Sequence, residues 1–187
     1  MDVDMEATGA RPEGPDSRDR VLEAQGISEP STASCLLAVD VGNTVTKFGV
    51  FATDELAGTW EVTTSERCTA DEAWAQAARA IDMLGAPEPA SAILSCVVPS
   101  LAEVWRSALG KLCGARPYAV GPGLKTGIRM RYDDPSEVGS DRVADAVAAR
   151  ETYGAPVVVV DLGTTTNIEV VDESGAFAGG IIAPGVA

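Results

Sequence analysis

Two short segments of the chain share an aspartate, a glycine and a threonine at the same spacing. They are Asp40-Val-Gly-Asn-Thr44 and Asp161-Leu-Gly-Thr-Thr-Thr166, and each follows an apolar run. Glycine lets a turn approach a ligand so that backbone N–H groups can hold phosphate oxygens, and an aspartate at a strand end can hold a hydrated Mg²⁺. Each segment alone is also typical of an ordinary hairpin turn. Because the pattern occurs twice, two hairpins that hold one nucleotide between them are the stronger interpretation.

A third polar segment runs from Tyr132 to Arg142 and leads into a predicted helix. Gly139 and Ser140 precede or open that helix, so Asp141 and Arg142 fall in its first turn, where backbone N–H groups, and Arg142 itself, can face an anionic group. From this position Asp141 can accept a proton from a substrate hydroxyl during phosphoryl transfer. The alternative is a helix-start carboxylate that is only stabilised by the helix dipole. Spacing alone leaves both interpretations open.

An internal repeat determines which elements position these segments. Residues 37–50 align with residues 158–171 without a gap, and the same offset places Ala57-Gly58 on Ala178-Gly179. Each copy predicts three strands, because an apolar run, an alternating run and a third short run are separated by turn residues. The predicted strands of the two copies cover 36–40, 46–51 and 57–63, then 156–161, 168–171 and 177–182.

The remaining pattern predicts helices and two further strands around the first copy. Helices are expected over 70–84, over 100–113 with Ser100 as N-cap, and from Ser140 or Asp141 to Tyr153, where Gly154 ends the last one. Strands are expected over 92–98 and 119–120. We therefore predict a mixed α/β domain over 35–154, followed by the first three strands of a second domain over 155–187. The second sheet has no helices of its own to cover it, so we expect an unstable or self-associating chain.

Composition and charge exclude several classes of function. A formal net charge of −14 without a basic patch makes nucleic acid an unsuitable partner. The absence of histidine excludes every His-based mechanism, and four cysteines without a C-x-x-C pair are expected to be reduced and mostly buried. Residues 1–34 are expected to form a disordered acidic extension. With no secretory signal and no membrane-spanning run, the sequence predicts a cytoplasmic protein that binds no membrane.

Seven segments together resemble type III pantothenate kinase, a family of the acetate-and-sugar-kinase/actin superfamily. The segments are Asp-Val-Gly-Asn-Thr at 40–44, Cys-Val-Val-Pro at 96–99, Val-Gly-Pro-Gly-Leu-Lys-Thr-Gly at 120–127, Arg-Tyr-Asp-Asp-Pro at 131–135, Gly-Ser-Asp-Arg at 139–142, Asp-Leu-Gly-Thr at 161–164 and Gly-Gly-Ile-Ile-Ala-Pro-Gly at 179–185. The resemblance implies an actin-like/ribonuclease-H-like α/β fold with duplicated ββαβ-type domains, the second incomplete because the chain is truncated at its C-terminus. It also implies a homodimer for full-length members.

The same resemblance implies ATP-dependent phosphorylation of pantothenate, the first step of coenzyme A synthesis, with Mg²⁺ and a monovalent cation, K⁺ or NH₄⁺. Asp141 would be the proton acceptor, Asp161 would hold the monovalent cation, and Asp40 would hold Mg²⁺ through water. The residues that would bind ATP are Asp40, Val41, Gly42, Asn43, Thr44, Val45, Thr46, Lys47 and Thr164. The residues that would bind pantothenate are Tyr132, Gly139, Ser140, Asp141 and Arg142.

Five positions depart from the family pattern: Val45, Lys47, Thr165, Asn167 and Glu169. Lys47 stands where an apolar residue is common and either reaches a phosphate or is solvated, and Glu169 replaces a usual Asp or Asn. The alternative function is a non-catalytic relative that binds a nucleotide or pantothenate without turnover. Another member of the superfamily, a sugar kinase or a phosphatase acting on polyphosphate, is a third alternative.

Overall fold

The computed structural model describes residues 35–121, 124–132, 134 and 137–185, so the predicted disordered extension over 1–34 lies outside the described residues. Within those ranges three successive strands are followed by three helices that alternate with two strands, and three further strands come last. The strands are β1 (Cys35–Val41), β2 (Val45–Ala52), β3 (Glu55–Thr63), β4 (Pro89–Cys96), β5 (Tyr118–Ala119), β6 (Val157–Leu162), β7 (Thr165–Val171) and β8 (Phe177–Pro184). The helices are α1 (Ala70–Met83), α2 (Pro99–Cys113) and α3 (Ser140–Tyr153). The predicted mixed α/β class is confirmed.

The first sheet has the strand order β3-β2-β1-β4-β5. Strands β1, β2 and β3 form an antiparallel meander, whereas β4 and β5 run parallel to β1 and to each other. Alternate side chains of β1 point into the core, so that Leu37, Val39 and Val41 are buried. The parallel pairing brings the C-terminal ends of β1 and β4 to the same edge of the sheet. That edge carries Asp40 and Ser95, which are paired across the two strands.

Helices α1 and α2 cover this sheet and enclose the larger core. The side chain of Thr69 and that of Glu72 form a capping box at the start of α1, which satisfies backbone N–H groups that would otherwise lack partners. Trp105 of α2 packs against Phe48 of β2 with ring centroids 5.7 Å apart, and both side chains are buried. Burying a side chain of this size stabilises the fold by roughly 1.5–3 kcal/mol.

Helix α2 starts two residues earlier than an N-cap at Ser100 predicts. Val98 is the N-cap and Pro99 is the first helical residue, so the prediction of Ser100 as N-cap is wrong. Proline suits this position because its fixed φ fits the first turn and its missing N–H has no partner there in any case. The preceding strand accordingly ends at Cys96, two residues before the predicted end.

The second sheet is an antiparallel meander in the order β6-β7-β8. Helix α3 packs against β6 and β7 and also contacts β4 of the first sheet. Its Val143 and Ala146 are buried with Val171 and Phe177 in a second, smaller core. The expectation that this sheet has no helical cover is therefore wrong for one face, because α3 packs against the second sheet as well as against β4. The division into domains at 154 and 155 stays a prediction.

The opposite face of the second sheet is apolar and exposed. Cross-strand pairing puts Val158 beside Val170, and Val160 beside Ile168, on this face. The exposed fractions of Val158, Val160 and Leu162 are 59%, 54% and 64%. No element of the described part of the chain covers these side chains, and we call them the bare face below.

Candidate active site

The two Asp-Gly-Thr turns are each closed by a hydrogen bond from the glycine N–H, but the second turn is one residue shorter than the first. In the first, the Gly42 N–H donates to the Val45 carbonyl oxygen at 3.1 Å, and in the second the Gly163 N–H donates to the Thr165 carbonyl oxygen at 3.0 Å. Each turn joins an apolar strand to the antiparallel strand beside it. The aspartates therefore stand near equivalent strand ends in the two sheets.

The two turns meet in the folded chain. The hydroxyl oxygens of Thr44 and Thr164 lie 3.0 Å apart, within hydrogen-bond distance, although they are separated by 120 positions. A cavity of about 530 Å³ opens beside this contact. The predicted site residues that line it are Asp40, Gly42, Asn43, Thr44, Val45, Lys47, Asp141, Asp161 and Thr164. The structure thus brings most of the predicted nucleotide loop, the predicted base and the predicted cation ligand to one cavity.

Two residues of the predicted nucleotide loop point into the core. Val41 is buried in β1. Thr46 is buried in β2, and its hydroxyl oxygen lies 2.9 Å from that of Thr64, which directly follows β3. Their side chains pack beneath the turn, on the side away from the cavity. Any contact they make with a ligand is therefore through the backbone.

Asp40 combines burial with an unused oxygen. Its Oδ1 is buried without a hydrogen-bond partner in the described ranges, and the carboxylate lines the cavity. Burial raises the pKa of Asp40, a hydrogen bond from Ser95 opposes this, and the nearby Asp141 adds to the rise. Such a carboxylate gains from a cation beside it, because a positive charge offsets the cost of desolvation.

Ser95 connects Asp40 to helix α3 and was not predicted as a site residue. Its hydroxyl lies 3.1 Å from the hydroxyl of Ser140, which also accepts a hydrogen bond from the Cys96 N–H at 2.9 Å. Ser140 thereby ties the first turn of α3 to the end of β4. In this arrangement the Ser140 hydroxyl binds protein groups, and the cavity lining does not include it.

Asp141 lies in the first turn of α3 and lines the cavity. Its Oδ1 accepts a hydrogen bond from the Arg142 N–H at 2.8 Å. A side chain on Gly139 would collide with the same oxygen, so the glycine makes room for the carboxylate. Gly139 contributes by lacking a side chain, which explains why a glycine suits the position before this helix.

Arg142 turns away from the cavity. Its Nε donates to Oε1 of Glu169 at 2.7 Å, and the exposed fractions of the two side chains are 10% and 0%. Burial raises the pKa of Glu169, and the hydrogen bond and charge of Arg142 oppose the rise. A direct contact between this guanidinium and an anionic substrate would require the buried ion pair to open.

Asp145 is a further carboxylate of the cavity that sequence reasoning missed. It follows Asp141 by four positions, which places the two on the same face of α3. Burial, and then the charges of Asp161, Glu169, Asp141 and Asp40, raise the pKa of Asp145 to about 6. The helical spacing from Asp141 was the available signal.

Tyr132 lies away from these residues. Its side chain is 37% exposed and does not line the cavity. The preceding Arg131 donates its N–H to the Phe177 carbonyl oxygen at 2.8 Å, which attaches this segment to the start of β8. Positions 133, 135 and 136 lie outside the described residues. A second cavity of about 620 Å³ near Arg131 and Val158 shares no predicted site residue with the first.

The carboxylates of the cavity beside Thr44 and Thr164 fit a Mg²⁺ ion that is also bound by water and phosphate better than a metal ion whose ligands all come from the protein. Among the described residues, no group of three or more His, Cys, Asp or Glu side chains is arranged to hold a metal ion. Mg²⁺ typically keeps several waters and takes one or two carboxylates together with substrate phosphates. The unpartnered Oδ1 of Asp40 offers a carboxylate donor of that kind, and the carboxylate of Asp161 lines the same cavity.

The strand order of the first sheet and the repeated turn define the class of this molecule. An antiparallel meander that continues into parallel strands, followed by a second copy of the meander, is the predicted actin-like α/β fold of the acetate and sugar kinases. The model of the family described as type III pantothenate kinase matches residues 36–187. The chain belongs to the type III pantothenate kinase family.

Individual relatives agree with this assignment. The chain is 42% identical over 154 residues to the type III pantothenate kinase of Moorella thermoacetica, covering 81% of this chain and 60% of the relative. It is 46% identical over 153 residues to that of Rhodospirillum centenum, covering 80% and 59%. The chain thus spans about 60% of the length of these curated relatives.

The solved structures that resemble this chain are less similar to it in sequence than these relatives are. A ROK hexokinase from Thermus thermophilus gives a TM-score of 0.47 at 18% identity, with 76% of this chain and 48% of that one covered. The ethanolamine utilization protein EutJ from Carboxydothermus hydrogenoformans gives a TM-score of 0.49 at 14% identity, with 87% and 56% covered. Both TM-scores lie below 0.5, so the fold assignment depends on the strand order and the family.

Among the described residues, none of the helices has the length and the apolar composition that a membrane-spanning helix needs.

Proposed function

We propose that the chain carries the catalytic cleft of a kinase that transfers a phosphoryl group from ATP to pantothenate, with Asp141 as the proton acceptor. The relatives that match it are named type III pantothenate kinase. The observation that carries the proposal is the meeting of the two turns at Thr44 and Thr164 over a cavity that Asp141 also lines. The proposed reaction is the first step of coenzyme A synthesis, in the cytoplasm.

The backbone and hydroxyl groups of the turns would hold the nucleotide. Gly42 leaves the first turn without a side chain, so successive N–H groups can approach phosphate oxygens. Thr44 and Thr164 supply hydroxyl groups from opposite sheets. Lys47 lines the same cavity and is paired across the strands with Asp40, so it can reach a phosphate without crossing the cleft.

The carboxylates would neutralise and orient the cations that accompany ATP. Asp40 would hold Mg²⁺ through water, and Asp161 would hold a monovalent cation, K⁺ or NH₄⁺. Mg²⁺ supplies charge neutralisation of the phosphates when it is bound. The raised pKa values of Asp40 and Asp145 reflect carboxylates gathered at low exposure, an environment that favours cations.

Asp141 would remove the proton of the pantothenate hydroxyl as the phosphoryl group arrives. Its carboxylate is held at Oδ1 by the Arg142 N–H and faces the cavity. Gly139, Ser140, Arg142 and Tyr132 remain proposed pantothenate-site residues, of which the first three would act by shaping the start of α3. A homodimer is proposed on the basis of the family alone.

Asp141→Asn tests the proposed mechanism. Phosphopantothenate formed from ATP and pantothenate is measured by a coupled assay. We expect turnover to fall by at least ~100-fold, the usual contribution of a positioned general base, and Asp40→Ala to lower it as well. Asp71→Asn is the matched control, because that side chain is 85% exposed on α1. Undiminished turnover in Asp141→Asn would remove this mechanism.

Ligand binding separates the kinase from its alternative. Calorimetry with pantothenate and with a non-hydrolysable ATP analogue is carried out on the same preparation. Tight binding together with turnover supports the kinase, whereas tight binding without turnover supports a non-catalytic nucleotide- or pantothenate-binding relative. A panel of sugars and polyphosphate in place of pantothenate tests the third alternative.

A further inference from the structure

The ion pair between Arg142 and Glu169 is buried against the second sheet. Glu169 is in the middle of β7 with an exposed fraction of 0%, and its Oε1 lies 2.7 Å from Nε of Arg142. Burying two charges costs several kcal/mol per ion before their attraction is counted. A buried pair of this kind is therefore weak evidence for stability, and another role must be sought in what it holds in place.

Residues of β7 and β8 surround the guanidinium of Arg142. Gly180 is paired with Glu169 across β7 and β8, and a side chain on Gly180 would collide with the Ile168 carbonyl oxygen and would also come within 2.5 Å of Nη2 of Arg142. The same nitrogen lies 3.5 Å from the Ile168 carbonyl oxygen, and the guanidinium lies 5.9 Å from the centre of the Phe177 ring. Two strands of the second sheet, β7 and β8, thus fix one orientation of Arg142.

Arg142 also contacts the proposed base through its backbone. Its N–H donates to Oδ1 of Asp141 at 2.8 Å, so the two residues share the first turn of α3 and one hydrogen bond. On the other side of that turn, Ser140 is tied to β4 of the first sheet. The turn that carries Asp141 is consequently held from both sheets, by Ser140 on one side and by Arg142 on the other.

We propose that Glu169 is a positioning residue for phosphoryl transfer: by holding the Arg142 side chain against the second sheet, it fixes the first turn of α3 and with it the Asp141 carboxylate. The proposal rests on the proposed function of Asp141 and goes beyond it, because Glu169 is fully buried and does not line the cavity. It also gives Arg142 a role that needs no contact between its guanidinium and pantothenate. A misplacement of about 1 Å at a reacting group can lower the rate roughly 100-fold.

Glu169→Gln tests the proposal in the full chain, because it keeps the shape of the side chain and removes its charge. We expect kcat for pantothenate phosphorylation to fall by roughly 10- to 100-fold, while KM for ATP stays within about 2-fold. Glu169→Asp, which keeps the charge, is expected to recover part of kcat. Arg142→Lys is expected to resemble Glu169→Gln, because lysine cannot reproduce the bond made by Nε.

Asp172→Asn is the matched control. It removes the Arg131–Asp172 ion pair of 2.9 Å, which lies in the same half of the chain at the turn between β7 and β8. A purely structural role for Glu169 predicts that both variants lower the midpoint of thermal unfolding and leave kcat unchanged. Equal kcat values in wild type, Glu169→Gln and Asp172→Asn would overturn the proposal.

A second measurement separates failure of this proposal from failure of the proposed function. The ¹³C chemical shift of the Asp141 carboxyl group and the ¹⁵N shift of Arg142 Nε are recorded by NMR for wild type and both variants. If the wild type does not phosphorylate pantothenate, the proposed function fails. Movement of the Asp141 signal in Glu169→Gln but not in Asp172→Asn still supports positioning, and an unmoved Asp141 signal overturns it. If Glu169→Gln does not fold, the same comparison is made with Glu169→Asp.

Discussion

At the scale of single residues, the candidate site concentrates negative charge beside the turns proposed to bind phosphate. Asp40, Asp141, Asp145 and Asp161 line one cavity, and Asp40 has a buried oxygen without a hydrogen-bond partner among the described residues. An anionic nucleotide can enter such a cleft only with cations and backbone N–H groups that meet its phosphates. The residues therefore favour a cation-dependent reaction over one that uses arginine, since the nearby Arg142 is already paired.

Asp145 gives a prediction at this scale. Burial and the surrounding carboxylates raise its pKa from 3.8 to about 6, so native Asp145 keeps a proton that the unfolded chain releases. The contribution of this protonated side chain to the free energy of unfolding is therefore fully present below pH ~4 and is lost as the pH rises through about 6. Asp145→Asn is expected to stabilise the metal-free protein at pH 7–8 by about 1 kcal/mol, after allowance for solvent screening, and to have little effect near pH 4.

Urea unfolding at several pH values in the presence of a chelator measures this effect. Glu66→Gln, at an exposed position, is the control for the loss of one negative charge. A gain in stability that is equal at pH 4 and pH 8 would contradict the titration of Asp145 as the cause.

At the scale of elements, helix α3 is the part that unites the two sheets. It contacts β4, β6 and β7, and its first turn carries the proposed base. The Ser140 hydroxyl makes two of the polar contacts on the side of the first sheet, with Ser95 and with the Cys96 N–H. A shift of α3 would thus move the proposed base relative to both turns.

Ser140→Ala tests this attachment. The change removes the acceptor of the Cys96 N–H and one contact of the Ser95 hydroxyl, which keeps its hydrogen bond to Asp40, and we expect a loss of about 1–2 kcal/mol in the free energy of unfolding. Ser107→Ala on the exposed side of α2 is the matched control, and it is expected to change the free energy of unfolding by no more than ~0.5 kcal/mol. Denaturant unfolding followed by circular dichroism gives both values, and equal effects of the two changes would contradict the attachment.

At the scale of the whole molecule, the bare face is the main departure from a self-contained fold. Val158, Val160 and Leu162 are each more than half exposed, and Val170 and Ile181 extend the same apolar surface. Contiguous exposed apolar patches of a few hundred Å² favour association. The net charge of −14 opposes association at low salt, and added salt screens that repulsion.

We therefore expect the chain to self-associate as its concentration and the salt concentration rise. Val160→Lys, at the centre of the bare face, is expected to shift the protein toward monomer. Thr59→Lys adds the same charge at an exposed position of β3 and is expected to leave association unchanged. Sedimentation velocity measures the distribution of species, and a wild-type chain that stays monomeric at all concentrations tested would refute the expectation.

Local patterns in the sequence determined the strands, the helices and the two turns. The continuous apolar run over 36–40, for example, predicted β1, because a short apolar run that ends at turn residues is typical of a buried strand. The repeat of Asp40 and Gly42 at Asp161 and Gly163 predicted a turn in both sheets, since turn chemistry depends on neighbouring residues, although the second turn is one residue shorter. The N-cap of α2 was missed because Pro99 and Ser100 are both suitable residues for a helix start.

Only the tertiary structure decided how α3 is shared between the sheets and which side chains meet there. Arg142 and Glu169 are 27 positions apart, and Ser95 and Ser140 are 45 apart, in elements whose packing no local pattern specifies. The sequence showed Arg142 beside Asp141 but not the direction of its side chain, which depends on a glycine at 180 and a glutamate at 169. Hydrophobic periodicity reports which face of an element is buried, whereas the partner on that face is chosen by the packing of the whole chain.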